Sequence, residues 1–166
     1  GSSAAMNRTQ VERKSDRELV VTRTFNAPAR IVYEAWSKAE LFRRWWVPKA
    51  MSPSLFSCDV DMRTGGGYRL VFRFPGSDQT LAFFGTYKEV TPHSRLVWTN
   101  EESDEGSVTT VTFEEKGGKT LLVMHERYPS KEALDAAGTG AADMMSETFE
   151  QLDELLVTLG ASVGRS

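Results

Sequence analysis

The side chains from which this chain could build chemistry are few: two histidines and one cysteine among 166 residues. His125 and Glu126 are neighbours on a run that reads as a strand, so they point to opposite faces and cannot both enter one interior. Leu121, Val123 and His125 share the parity read as inward. That makes His125 the candidate polar group of an apolar pocket, able to orient a ligand or move a proton near neutral pH. The competing reading is a histidine hydrogen-bonded within the core. Cys58 also reads as inward, but a nucleophilic pair would need it in contact with His125, and a buried cysteine otherwise packs as a small hydrophobe. Asp59, Asp61 and Arg63 share one face and Arg69 and Arg73 the next strand, so cross-strand charge pairing is expected there rather than a carboxylate acid/base pair. The usual zinc spacings are absent, and neither metal nor cofactor is expected. Gly65-Gly66-Gly67 precedes no helix, which makes it a turn rather than a phosphate cradle, and Gly117-Gly118 reads likewise. The acidic run from Glu101 to Glu105 reads as a solvated hairpin tip.

The elements that must position these residues follow from changes of hydrophobic period. Gly1 to Ala5 read as an expression scar before Met6, and 1–17 as a disordered tail, so the single domain is placed at 18–161. Leu19 to Phe25 is rich in β-branched residues, as a strand requires. Pro28 then opens a helix carrying Ile31, Val32, Ala35 and Trp36, and a second short helix is predicted over Ala39 to Trp46, stopped by Pro48. The period next becomes two. Phe56, Cys58, Val60 and Met62 alternate with polar residues, and Tyr68, Leu70, Phe72 and Phe74 do so on the following run. Leu81 to Val90, Leu96 to Asn100, Val108 to Glu115 and Thr120 to Tyr128 complete six strands with short links, an antiparallel meander. After Pro129 the helical period returns, with a break predicted at Gly138-Thr139-Gly140 and a long helix from Ala141 to Leu159.

This order predicts an α+β fold: a curved antiparallel sheet of about seven strands around one long C-terminal helix, closed at one end by two short helices. The space between sheet and helix is a candidate ligand cavity. Its expected strand walls are Cys58, Val60 and Met62, then Tyr68, Leu70 and Phe72, then Phe83 and Tyr87. Trp98, Asn100, Val111, Phe113, Val123 and His125 continue them. The helices add Trp45, Trp46, Met145, Phe149 and Leu152. A net charge of -3 and pI near 5.5 argue against nucleic acid. No apolar run approaches a membrane span, and a lone cysteine fits a reducing, cytoplasmic setting. An edge strand could pair two copies, leaving monomer and homodimer open.

The motifs carry a resemblance. Phe25-Asn26-Ala27-Pro28, Leu41-Phe42-Arg43-Arg44-Trp45-Trp46-Val47-Pro48, Val60-Asp61-Met62-Arg63-Thr64-Gly65-Gly66, Gly85-Thr86-Tyr87, Arg95-Leu96-Val97-Trp98-Thr99, His125-Glu126-Arg127-Tyr128-Pro129 and Phe149-Glu150-Gln151-Leu152 recur in that order. From Leu19 to Leu159 the chain resembles the SRPBCC, or START-like helix-grip, superfamily, and within it the bacterial AHSA1-like proteins, named for the activator of Hsp90 ATPase. It departs where members often carry Gly-Trp at the start of the final helix; Met144-Met145 stands there, and a flexible thioether can reshape a cavity. The resemblance implies a helix-grip fold with a deep apolar cavity. Three functions follow as expectations: non-catalytic binding of a lipid-, sterol- or polyketide-like ligand, a cyclase or aromatase using His125, or a chaperone-linked module. The eukaryotic namesake's extra Hsp90-binding domain has no room here, so Hsp90 activation is not expected.

Overall fold

The computed structural model describes residues 9–101 and 106–164, the side chains of 138–143 and 160–164 excepted; part of the acidic hairpin tip, at 102–105, lies outside the described residues. Its elements are β1 (Gln10–Ser15), β2 (Glu18–Phe25), α1 (Ala29–Ser37), α2 (Ala39–Trp46), a 3-10 turn (Ser52–Ser54), β3 (Leu55–Val60) and β4 (Gly67–Arg73). They continue with β5 (Thr80–Thr91), β6 (Arg95–Thr99), β7 (Val108–Lys116), β8 (Lys119–Arg127) and α3 (Lys131–Gly164). The strands form one antiparallel sheet of eight in the order β1-β2-β8-β7-β6-β5-β4-β3. After β2 the chain crosses through α1 and α2 to the far edge, then returns by the meander until β8 pairs with β2.

Two differences from the sequence expectation concern regular structure. The first strand begins at Gln10, where a disordered tail was expected, which raises the strand count to eight. All six residues of β1 are exposed and carry no apolar alternation; the backbone ladder to β2 holds them, together with an Arg13–Asp135 ion pair at 2.6 Å. Such a charged edge is poorly suited to further pairing. The second difference is that α3 runs unbroken through Gly138 and Gly140. Each glycine costs about 1 kcal/mol against alanine, but the helix is anchored on both sides of them. Leu134 packs with Leu19 and Tyr128, while Met145, Phe149, Leu152 and Leu156 enter the main core.

Polar side chains close the helix ends. Ala29 N–H donates to Glu115 Oε1 at 2.7 Å, which places a carboxylate at the start of α1. Trp45 Nε1–H donates to the Ala35 carbonyl at 2.9 Å, tying α2 to the last turn of α1. Gln151, from α3, donates through Nε2 to the carbonyls of Trp45 and Val47 and accepts from the Lys49 N–H. The α2–β3 connection is thereby fastened to the long helix.

Candidate functional site

The concave face of the sheet and the α2–β3 connection enclose a cavity of about 150 Å³. Trp46, Val47, Pro48 and Met51 form one wall, Tyr68, Leu70, Phe72 and Phe83 another, and Asn100 and Met144 complete it. Met144, on α3, is 44% exposed and stands at the mouth with Phe83. Trp36, Phe42, Trp46, Tyr68, Tyr87 and Trp98 line a second, smaller space of about 10 Å³. The two spaces share Trp46 and Tyr68 as walls.

Polarity in this region concentrates at Asn100. Its Oδ1 accepts from Tyr68 O–H at 2.6 Å and from Trp98 Nε1–H at 3.2 Å. Its Nδ2 donates to the Ser107 carbonyl, Ser107 Oγ and Thr109 Oγ1, at 3.2, 2.8 and 3.2 Å. The amide is satisfied by protein alone, so it presents no unmet group to a guest. Burial, the main cause, pushes the Tyr87 hydroxyl and the Cys58 thiol above their ordinary pKa values, so both stay neutral. Tyr87 therefore brings no charge to the smaller space that it lines.

One buried donor nearby is unmet. Of the buried indoles, Trp45 and Trp98 donate to Ala35 and Asn100, whereas Trp36 Nε1 has no acceptor among the described residues. Leaving such a group unpaired costs about 1–3 kcal/mol. Its ring packs among Trp45, Trp46, Trp98 and Phe113, with centroids 4.7 to 6.1 Å away.

Several residues expected on the cavity wall lie elsewhere. His125 and Val123 are on the convex face, because Leu122 and Met124 take the inward positions. His125 Nε2 sits 2.7 Å from Glu18 Oε2 on β2, and that contact is the main cause lowering the Glu18 pKa. Trp45, Val111, Phe113, Met145, Phe149 and Leu152 are wholly buried in the packed core rather than on the wall of this cavity. Cys58, Val60 and Met62 pack against that core as half-buried residues. Phe56 is turned out to 62% exposure by a register shift between Leu55 and Ser57, and Arg73 lies over its ring at 4.6 Å. The expected charge pairing is replaced as well: Asp59 faces Arg69 in register, but Arg69 lies over Phe84, and Asp61 pairs with Arg63. Trp46, Tyr68, Leu70, Phe72, Phe83, Tyr87, Trp98 and Asn100 do line the two spaces. Trp36, Phe42, Val47, Pro48, Met51 and Met144 were missed as wall residues.

With the parity of β8 reversed, Glu126 is the ionisable residue that this strand turns to the concave side. It shares parity with Leu122 and Met124, lies between Leu19 and Thr109 across the strands, and accepts from Tyr128 O–H at 2.6 Å. Burial pushes its carboxyl up, partly opposed by the Tyr128 hydrogen bond and by His125. A native carboxyl that keeps its proton to higher pH than the unfolded one makes stability fall as pH rises from the ordinary glutamate range through the raised value. Glu126→Gln is accordingly expected to gain stability against the parent at pH 8 compared with pH 4, read from urea midpoints at both. An equal difference at both values would mean that the carboxyl is solvated.

Comparison with known proteins adds to this geometry. The family described as "Activator of Hsp90 ATPase homolog 1-like protein" matches residues 26–157. The chain belongs to that family. The AHSA1-like domain places it in the SRPBCC superfamily, with the helix-grip fold expected from sequence. Among solved structures, a protein from Rhodobacter sphaeroides is similar at 24% identity and a TM-score of 0.80, over 92% of this chain and 99% of that one. Ms6760 from Mycobacterium smegmatis is similar at 24% identity and a TM-score of 0.75, over 91% and 98%. CalU16 from Micromonospora echinospora is similar at 20% identity and 0.59, over 84% and 81%. At these identities the likeness is one of fold. No functionally curated protein matches the chain. Among the described residues no helix is long and apolar enough to cross a membrane.

Proposed function

We propose that this AHSA1-like domain binds a small, uncharged, largely apolar molecule between the sheet and the α2–β3 connection, without catalysis. The observation that carries this reading is the cavity of about 150 Å³ with aromatic and aliphatic walls and a self-satisfied Asn100 amide. A space of that size suits a guest near one aromatic ring, below the roughly 300–1,000 Å³ of sites that hold drug-sized molecules. A sterol or a polycyclic polyketide would require the wall to move. The acid/base reading that relied on His125 loses its residue, since that side chain sits on the convex face against Glu18.

Ethylbenzene, which has the right size and no polar atom, is the simplest probe. Saturation-transfer NMR on the parent is expected to show binding, weakened at least tenfold by Met144→Trp, which fills the mouth from a partly exposed position. His125→Ala should leave the affinity within twofold. Equal binding by the parent and Met144→Trp would remove the cavity as the site.

A further inference from the structure

We infer that the apolar stripe running from the cavity mouth along β4 and β5 is a second subsite of the ligand, so that the molecule bound is a compact ring carrying an unbranched, uncharged alkyl chain. The ring fills the cavity, and the chain leaves it past Phe83 to lie on Leu81 and Phe74. This rests on the binding reading above and specifies its ligand.

Strand register sets the stripe. Leu70 stands opposite Phe83 and Phe72 opposite Leu81, and directly paired residues share a face of the sheet. Leu70, Phe72 and Phe83 line the cavity, so Leu81 belongs to the same concave face, one step of about 7 Å further along β5. Phe74, which follows β4, stacks on Phe72 with centroids 6.2 Å apart, and Phe72 meets Phe83 edge-on at 5.8 Å. The rings thus run without a break from the cavity wall to the stripe. Seven large apolar side chains are exposed among the described residues, and three of them, Leu81, Phe83 and Met144, stand at or beside this mouth, 46, 37 and 44% exposed. Single exposed apolar residues are ordinary, whereas a group that continues a groove marks a ligand site.

The charges of this hairpin are kept on its other face. Arg69 and Arg73 are the only charged residues of β4, and residues 80–86 of β5 carry none. Both arginines have the convex parity, where Arg73 lies over Phe56 at 4.6 Å and Arg69 over Phe84 at 5.6 Å. Neither strand therefore turns a charge toward a chain lying on the stripe. At the far end the exposed hairpin tip carries one charged residue, Asp78, which disfavours a chain ending in a carboxylate. A second copy of the protein is a poor occupant, because the exposed parts of three side chains fall well short of the roughly 800 Å² that each partner of a stable complex buries.

Ethylbenzene and pentylbenzene test this, since they differ by three methylenes. A fully buried methylene is worth about fourfold in affinity, so three that are half covered on an open stripe are expected to make pentylbenzene bind the parent about tenfold more tightly in NMR titrations. Leu81→Ser, at an exposed position, should cut that gain to less than about threefold while ethylbenzene stays within about twofold of the parent. Phe56→Ser, on the convex face, should leave the gain intact. In the parent, nuclear Overhauser contacts from the pentyl methyl group to the Leu81 methyls are expected, a measurement that needs no variant to fold. If both probes bind the parent equally, if the gain survives Leu81→Ser, or if the pentyl methyl group makes no contact with Leu81, the chain subsite is overturned while the cavity reading stands. It is overturned as well if sedimentation shows a parent dimer that Leu81→Ser dissociates with the gain unchanged, since the stripe then holds a second copy. If neither probe binds the parent, the cavity reading and this inference fall together.

Discussion

Gly85→Ala is expected to lose about 4 kcal/mol of stability or to fail to fold, which places it among the largest single-site effects. A Cβ at this position would lie 1.7 Å from the Thr99 carbonyl oxygen and 2.8 Å from Tyr68 Cε1. The first of these is backbone and cannot swing aside. Gly85 stands opposite Tyr68 on β4, and two residues later Tyr87 pairs with Trp98 on β6, so β5 changes partners across this point. The Glu101 N–H donates to the Phe84 carbonyl at 2.8 Å, which holds the end of β6 against the bend. Glycine in a strand often marks such a close approach of backbones or a corner of a coiled sheet. The same bend brings Tyr68, Tyr87 and Trp98 together, with ring centroids 6.0 and 6.4 Å apart. The substitution should therefore open the aromatic enclosure along with the sheet. Urea unfolding followed by tryptophan fluorescence measures both effects, and a loss below about 1 kcal/mol would show that β5 can relax around a methyl group.

The elements were legible in the sequence wherever one periodicity dominated. The apolar stripe from Met145 through Phe149 and Leu152 to Leu156 packs into the core as expected, and β4 turns Leu70 and Phe72 inward. Parity on β8 was not legible because Leu121, Leu122, Val123 and Met124 are apolar at both positions of the pleat, so alternation gave no preference. The choice is made by tertiary contacts, including the Thr120 hydroxyl donating to the Ala27 carbonyl at 2.7 Å from the inward parity. Reversing that parity exchanges His125 for Glu126 as the interior ionisable residue. On β3 a bulge did the same to Phe56, since an extra residue shifts every side chain before it to the other face. The wall residues that went unrecognised have a different origin. Val47, Pro48 and Met51 belong to an irregular connection with no period to read, and Trp36 lies on a helical stripe that reads as ordinary core. A missing acceptor for an indole N–H has no signature in sequence, because it depends on what every neighbouring element leaves unpaired.

Gln151→Met is expected to cost about 3 kcal/mol, although it conserves length and adds an apolar group to a buried site. The last carbonyls of a helix lack partners within it, and Gln151 provides them at the end of α2: its Nε2 donates to the Trp45 and Val47 carbonyls at 3.0 and 2.9 Å. Its Oε1 accepts the Lys49 N–H at 3.1 Å. Methionine meets none of these groups, and the side chain at 151 is too buried for water to replace it freely. Since this connection presents Trp46, Val47 and Pro48 to the cavity, the loss should reach the site as well. Faster hydrogen exchange at Lys49 and weaker ethylbenzene binding are expected to accompany the lower urea midpoint. Gln151→Glu separates the two sides of the amide: it keeps an acceptor for Lys49 but sets carboxylate oxygens against two carbonyls, so it should be at least as destabilising as methionine at neutral pH. A glutamate variant that matched the parent would mean that the Lys49 contact alone fastens the connection, and that the two carbonyls find other donors.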